Sequence, residues 1–230
     1  MRLHRRPSAA AAAYAAAPVA AGSIPWREAA YCVVDLELSG LDPKRHEILS
    51  WAAVCIDGGR VTCRTAAEGL VHPRRDVPPE SVCIHGLRAP DLATAPSLAE
   101  ATDALLAAMT GRVLIAHASW VEESFLGPAL RARGVRLRRP VLDTCALGRL
   151  WLCRTDGSAP PAVSLGMLAA RLGLPEHRPH RASGDALTTA QVFVALATLL
   201  EEAGPETVGT LALAPERLAV GALCDGPTHA

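Results

Sequence analysis

Three short stretches of this chain carry side chains whose types and spacing can do chemistry. The first is Val33-Val34-Asp35-Leu36-Glu37-Leu38-Ser39-Gly40, an apolar run interrupted by two carboxylates two positions apart. Positions i and i+2 of a strand point to one face, so Asp35 and Glu37 project together. Neighbouring carboxylates repel unless protons or cations compensate them, and hard divalent ions such as Mg2+ or Mn2+ prefer oxygen ligands. Taken alone, Asp-x-Glu is common, and a strand end reaching solvent accounts for the pair.

The second stretch, Ala116 to Leu126, follows an apolar strand and opens a helix. Glu122, Phe125 and Leu126 fall at i, i+3 and i+4, so Glu122 shares a face with core anchors. Glu123 lies about 100° further round and faces solvent. Two acids in a first helical turn are also what the helix dipole favours. In the third stretch, His180 to Ala190, Asp185 occupies the first turn of a long helix with Thr188, Thr189 and Val192 on its face, and His180 stands in the loop before it. An ordinary cap and a surface histidine would read the same way in isolation.

Elements must bring these stretches together. Tyr31 to Leu36, Ile48 to Ile56 and Val61 to Leu70 read as strands, the last two joined by the turn signal Asp57-Gly58-Gly59. A proline-bearing loop spans His72 to Pro96, and Ser97 to Met109 has helical spacing closed by Gly111. Arg112 to Ala116 is a strand, Val121 to Arg133 a helix that Gly127-Pro128 can kink, and Val141 to Asp143 a brief strand before a helix through Trp151. Ser164 caps a helix to Leu172, and a long helix runs from about Gly184 to Glu202, capped by Ser183 or its neighbour. Hairpin strands followed by alternating helices and strands predict an α/β domain with a mixed sheet.

Composition narrows the setting. The 23 basic and 23 acidic residues balance, so a polyanion must be held locally, by metal ions or by an arginine patch. The densest basic cluster is Arg131, Arg133, Arg136, Arg138 and Arg139, which reads as a phosphate-steering surface or as a solvated helix end. Seven cysteines without a C-x-x-C pair suit a reduced, cytoplasmic protein with buried thiols. No run has the length and strength of a membrane span, so no membrane partner is expected. Residues 1–25 form an Arg-led, alanine-rich extension, read as disordered or loosely helical or as a targeting segment. The domain is expected over 26–204, with a weakly patterned tail over 205–230. His117 reads as a structural hydrogen-bonding residue, His72 and His177 as surface, and Phe125 as core.

In this order the three stretches resemble the DEDD-type 3′→5′ exonucleases with a histidine in the third motif, a family that includes the polymerase proofreading subunit, ribonuclease T and oligoribonuclease. The resemblance covers roughly Ala30 to Leu200. Asp35-Leu36-Glu37-Leu38-Ser39-Gly40 is similar to the family's Asp-x-Glu-Thr-Thr/Ser-Gly, and His180-Arg181-Ala182-Ser183-Gly184-Asp185 matches His-x-Ala-x-x-Asp at every fixed position. Pro78-Pro79-Glu80 through His85-Gly86-Leu87, and Leu142-Asp143-Thr144, also look like family segments. The second motif departs from His-Asn-x-x-Phe-Asp: Asn is Ala118, Phe is Val121 and Asp is Glu122. The carboxyl group therefore moves outward by about 1.5 Å, one carbon–carbon bond.

The resemblance implies a ribonuclease H-like mixed five-stranded sheet flanked by helices. It implies two Mg2+ or Mn2+ ions held by Asp35, Glu37, Glu122 and Asp185, with His180 as the base. Leu38, Ser39, Gly40, Leu41 and His85 would bind the terminal nucleotide. The implied partner is the 3′ end of single-stranded DNA or RNA; a polymerase or replication partner and a homodimer are left open. Two other readings remain: a nucleic-acid-binding module weakened in catalysis by Glu122 and Ala118, and a hydrolase of short oligonucleotides or dinucleotides.

Overall fold

A computed structural model describes residues 7–224. Five strands form one mixed sheet: β1 (Tyr31–Leu38), β2 (Ile48–Asp57), β3 (Arg60–Leu70), β4 (Val113–Ala116) and β5 (Val141–Asp143). Their order is β3-β2-β1-β4-β5, with β1–β2 and β2–β3 antiparallel and β1–β4 and β4–β5 parallel. The β2–β3 hairpin turns through Gly58 and Gly59 at φ +58° and +69°, the left-handed pair a two-residue I′ turn requires.

Ten helices surround the sheet among the described residues: α1 (Ala9–Ala16), α2 (Pro79–His85), α3 (Ala89–Leu92), α4 (Leu98–Met109), α5 (Trp120–Ala132), α6 (Thr144–Asp156), α7 (Leu165–Arg171), α8 (Ala182–Glu201), α9 (Val208–Ala212) and α10 (Ala214–Cys224). The alternation of β1 sorts the core. Tyr31 and Val33 face α8 and pack with Phe193, Leu196 and Trp26, whereas Cys32, Val34 and Leu36 face α4 and α5. Burying both faces explains why β1 reads as a nearly continuous apolar run. α8 is the one helix of the described residues with the length and hydropathy of a membrane span, and its buried Ala186, Ala190, Phe193 and Ala197 place it in the core instead.

The chain ends differ from expectation. Residues 9–16 form a packed helix, not a disordered or loose extension: Ser8 caps it, Tyr14 is buried, and the Arg138 guanidinium donates to the Ala15 and Ala17 carbonyls. Alanine on every face hid the packed side, since no hydrophobic period marks it. Residues 1–6, where the targeting reading begins, lie outside the described residues, as do 225–230 of the tail. Residues 206–214 of the tail pack against the domain. The Trp26 amide donates to the Glu206 carbonyl at 3.1 Å, and Val208 and Leu211 are buried against the α8 face. The long helix starts two residues before the expected Gly184 and has no side-chain cap, because Ser183 lies inside its first turn. α5 continues through Gly127-Pro128 without a break.

Candidate active site

Period-two alternation carries the α8 face of β1 onward from Tyr31 and Val33 to Asp35 and Glu37. α8 crosses that same face with Asp185 in its first turn. One carboxylate oxygen from each of Asp35, Glu37 and Asp185 lies within 4.8 Å of the others. The pairing register of β1 shifts between Glu37 and Leu38, a bulge that turns the strand end outward beside the cluster. The site thus lies at the carboxyl ends of β1 and β4, where parallel pairing gives way to antiparallel pairing and ligand sites of open α/β sheets occur.

Glu122 approaches from the first turn of α5. It is buried, its Oε2 has no hydrogen-bond partner, and it adds to the field felt by Asp35. Burial pushes its carboxyl up to about 8, with Asp143 and Glu123 adding to the rise. Glu37 is pushed up to about 7 by burial and by Asp185, against the Arg181 guanidinium, which pulls it down. Asp35 stands well above the usual carboxylate range through burial, then Glu122, Asp185 and Glu37. Asp185 is raised by burial and held back by the His180 amide, which donates to its Oδ2 at 2.9 Å. Three carboxylates at ligand-sharing distance, with the buried orphan oxygen of Glu122 outside that group but close enough to raise Asp35, are what a divalent cation would satisfy, so the residues present fit the implied metal.

The loop before α8 is held close by Gly184: a Cβ there would lie 1.9 Å from the His177 carbonyl oxygen. Arg178 and His180 both adopt positive φ in this loop, and the His180 side chain is exposed beside Asp185. On the other side of Glu37, a cavity of about 420 Å3 is lined by Leu38, Ser39, Gly40, Leu41 and His85 with Ile84 and Val121. The structure therefore gathers all five expected nucleotide-contacting residues in one place. Gly40 is required there, because at φ +150° its Cβ position falls 2.6 Å from the His46 ring. His85 is buried, accepts from the Leu87 amide at Nδ1, and so carries its proton on Nε2.

Sequence reasoning gave Asp143 no role. Its carboxylate accepts from the Ala118, Ser119 and Cys145 amides at 3.0, 3.2 and 2.8 Å, fixing the turn from β4 into α5 that aims Glu122. An Asp closing a short strand and capping the next helix was its only available signal. Arg181 was also unassigned, and it lines a second cavity together with Glu37 and His85. His117 bridges the Thr144 hydroxyl and the Val163 carbonyl at 3.0 Å each, the structural role expected.

A mixed five-stranded sheet with helices on both faces and an acidic centre at its strand ends defines the ribonuclease H-like class. Residues 32–193 match the RNase_T family model, described as Exonuclease. The chain belongs to this family, the DEDD-type 3′→5′ exonucleases with a histidine in the third motif. It is 34% identical over 184 residues to a DNA polymerase III subunit epsilon-like protein of Rhodobacter capsulatus, covering 79% of this chain and 25% of that protein. It is 30% identical over 178 residues to the PolC-type DNA polymerase III of Thermotoga maritima, covering 77% and 12%. To the DNA polymerase III subunit epsilon of Aquifex aeolicus it is 28% identical over 173 residues, covering 75% and 81%. The chain thus spans a quarter or less of the first two relatives. Exonuclease X in complex with 5′ overhanging duplex DNA shares the fold at TM-score 0.61 and 18% identity, covering 79% of this chain and 99% of that one. E. coli exonuclease I in complex with a dT13 oligonucleotide does so at 0.63 and 14%, covering 76% and 42%.

Proposed function

We propose that this protein is a metal-dependent nuclease that releases nucleoside 5′-monophosphates, one at a time, from the 3′ end of a single strand. The observation that carries this reading is the convergence of Asp35, Glu37 and Asp185 beside the buried orphan oxygen of Glu122, next to a cavity of about 420 Å3. Asp35, Glu37, Glu122 and Asp185 would hold two Mg2+ or Mn2+ ions. When bound, such a pair supplies Lewis acidity that activates a water and stabilises the leaving 3′ oxygen.

The chain's own groups do the rest. His180, exposed on a strained loop and tied to Asp185 through its amide, takes the proton of the attacking water on its imidazole. Leu38 to Leu41 and His85 enclose the terminal nucleoside. Asp143 keeps Glu122 aimed at the cluster. The names of the relatives support a strand handed over by a polymerase or replication partner.

The test is digestion of 5′-labelled single-stranded DNA and its RNA counterpart with Mg2+, Mn2+ or EDTA, alongside Asp185→Ala. A ladder shortening from the 3′ end only with metal, and absent in the variant, is expected. No shortening of either strand with either ion would refute the reading.

A further inference from the structure

The structure divides the basic cluster into committed and uncommitted arginines. Arg133 is paired with Asp103, Arg138 holds the carbonyl end of α1, and Arg139 is paired with Glu123. Arg131 and Arg136 are exposed and have no carboxylate partner among the described residues. They share a groove of about 320 Å3 with Glu123, Gly127, Leu137 and Arg139. Gly127 forms its floor, and the absence of a side chain lets Arg131 fold back along the helix: Nη1 lies 3.2 Å from where a Cβ would stand.

Helical geometry joins this groove to the acidic centre. At 100° per residue, the exposed Trp120 and Arg131 fall within about 20° of one another on α5, with Gly127 between them buried beneath the Arg131 guanidinium. Trp120 is 59% exposed, an uncommon state for a residue of its size. Trp120 and Arg131 are separated by about 16 Å along the axis, enough for a few nucleotides. In the first turn, Val121 lines the nucleoside-sized cavity, Glu122 the carboxylate cluster, and Glu123 the arginine groove. One turn of helix therefore connects all three. A neutral chain leaves any polyanion contact to local cations of this kind.

We infer that the solvent face of α5 is a single-strand tract, on which Trp120 stacks a base and Arg131 and Arg136 take phosphates upstream of the cleaved end. Aromatic platforms beside a basic groove bind single strands without regard to sequence. The inference rests on the nuclease reading of the acidic centre.

The test measures anisotropy of a fluorescent oligonucleotide of about twenty deoxynucleotides in EDTA, over a range of salt, and metal-dependent hydrolysis of that strand and of a dinucleotide. Trp120→Ala and the Arg131→Ala/Arg136→Ala pair are compared with Arg60→Ala, which lies on the β2–β3 turn at the far end of the sheet. Each tract variant is expected to weaken binding of the long strand by about tenfold or more. The arginine pair should also flatten the slope of log K against log salt by about 1.4. Loss on the long strand should exceed loss on the dinucleotide, Trp120→Phe should recover binding, and Arg60→Ala should change nothing. Equal loss on both substrates, or unchanged binding in both tract variants, would overturn the tract while leaving the nuclease reading standing. A wild type that neither binds nor cuts the long strand would overturn both.

Discussion

At the scale of single residues, the second motif shows what its substitutions do. Ala118 stands at φ +56°, a left-handed conformation that costs an alanine about 1–2 kcal/mol and that asparagine and glycine tolerate. The family's Asn therefore suits the backbone here as well as offering an amide. Ala118→Gly is expected to raise stability by about 0.5–1 kcal/mol, seen as a Tm about 1–4 °C higher, because the relieved strain of about 1–2 kcal/mol exceeds the entropy glycine adds to the unfolded chain. An unchanged or lower Tm would show that the turn carries no strain.

Glu122 gives a pH-dependent prediction at the same scale. Its carboxyl is raised from 4.5 to about 8 in the folded protein, chiefly by burial. The folded state thus favours the protonated form. That stability is fully present below about pH 4.5 and is lost as pH rises through about 8. In EDTA, Glu122→Gln should be more stable than the wild type above about pH 8 and nearly equal to it at pH 4.5, with a gap on the order of a few kcal/mol. Mn2+ should narrow that gap by stabilising the wild type more, since a carboxylate ligates the ion more strongly than the neutral amide oxygen of the variant. Denaturation curves at both pH values, with and without metal, check the sign. Much of this was legible: the i, i+3, i+4 spacing already aimed Glu122 inward. Its orphan oxygen was not, because a missing hydrogen bond leaves no trace in sequence.

At the scale of elements, β1 was the most readable part of the chain. Its alternation placed Asp35 and Glu37 on one face, and the structure shows that face meeting Asp185 of α8. Helix starts were readable where a Ser side chain caps, as at Ser97 and Ser164. The start of α8 was less so, since its N-cap Arg181 makes no capping bond. α1 was unreadable because alanines carry no period, yet Tyr14 is buried against α4, the far-side core and the Arg138 guanidinium. Tyr14→Ala is expected to destabilise the fold by about 3 kcal/mol in urea unfolding. A change below about 0.5 kcal/mol would mean that α1 does not hold its place in solution. His117 links the end of β4 to α6 and to the loop at Val163 before α7, its pKa lowered by burial.

At the scale of the whole molecule, two cores on either side of one sheet fix three carboxylates from β1 and α8 and a fourth from α5. The sequence order of the motifs carried the fold class, because each motif sits where a strand ends or a helix begins. The packing of residues 9–16 and 207–214 was not carried, since it depends on surfaces far apart in the chain. Asp143 was missed for the same reason: its partners Ala118 and Ser119 lie some 25 positions earlier. The balanced charge of the chain gives no long-range pull, so rate should depend on the local centre more than on salt-sensitive steering.

The most direct test of that centre is the metal-dependent rate of nucleotide release from a single-stranded 3′ end by Asp35→Asn beside the wild type, at matched folding. The acidic centre predicts a loss of at least about a hundredfold with Mn2+, while the Tm in EDTA stays equal or rises. A well-folded variant that keeps a rate within about threefold of the wild type would contradict it.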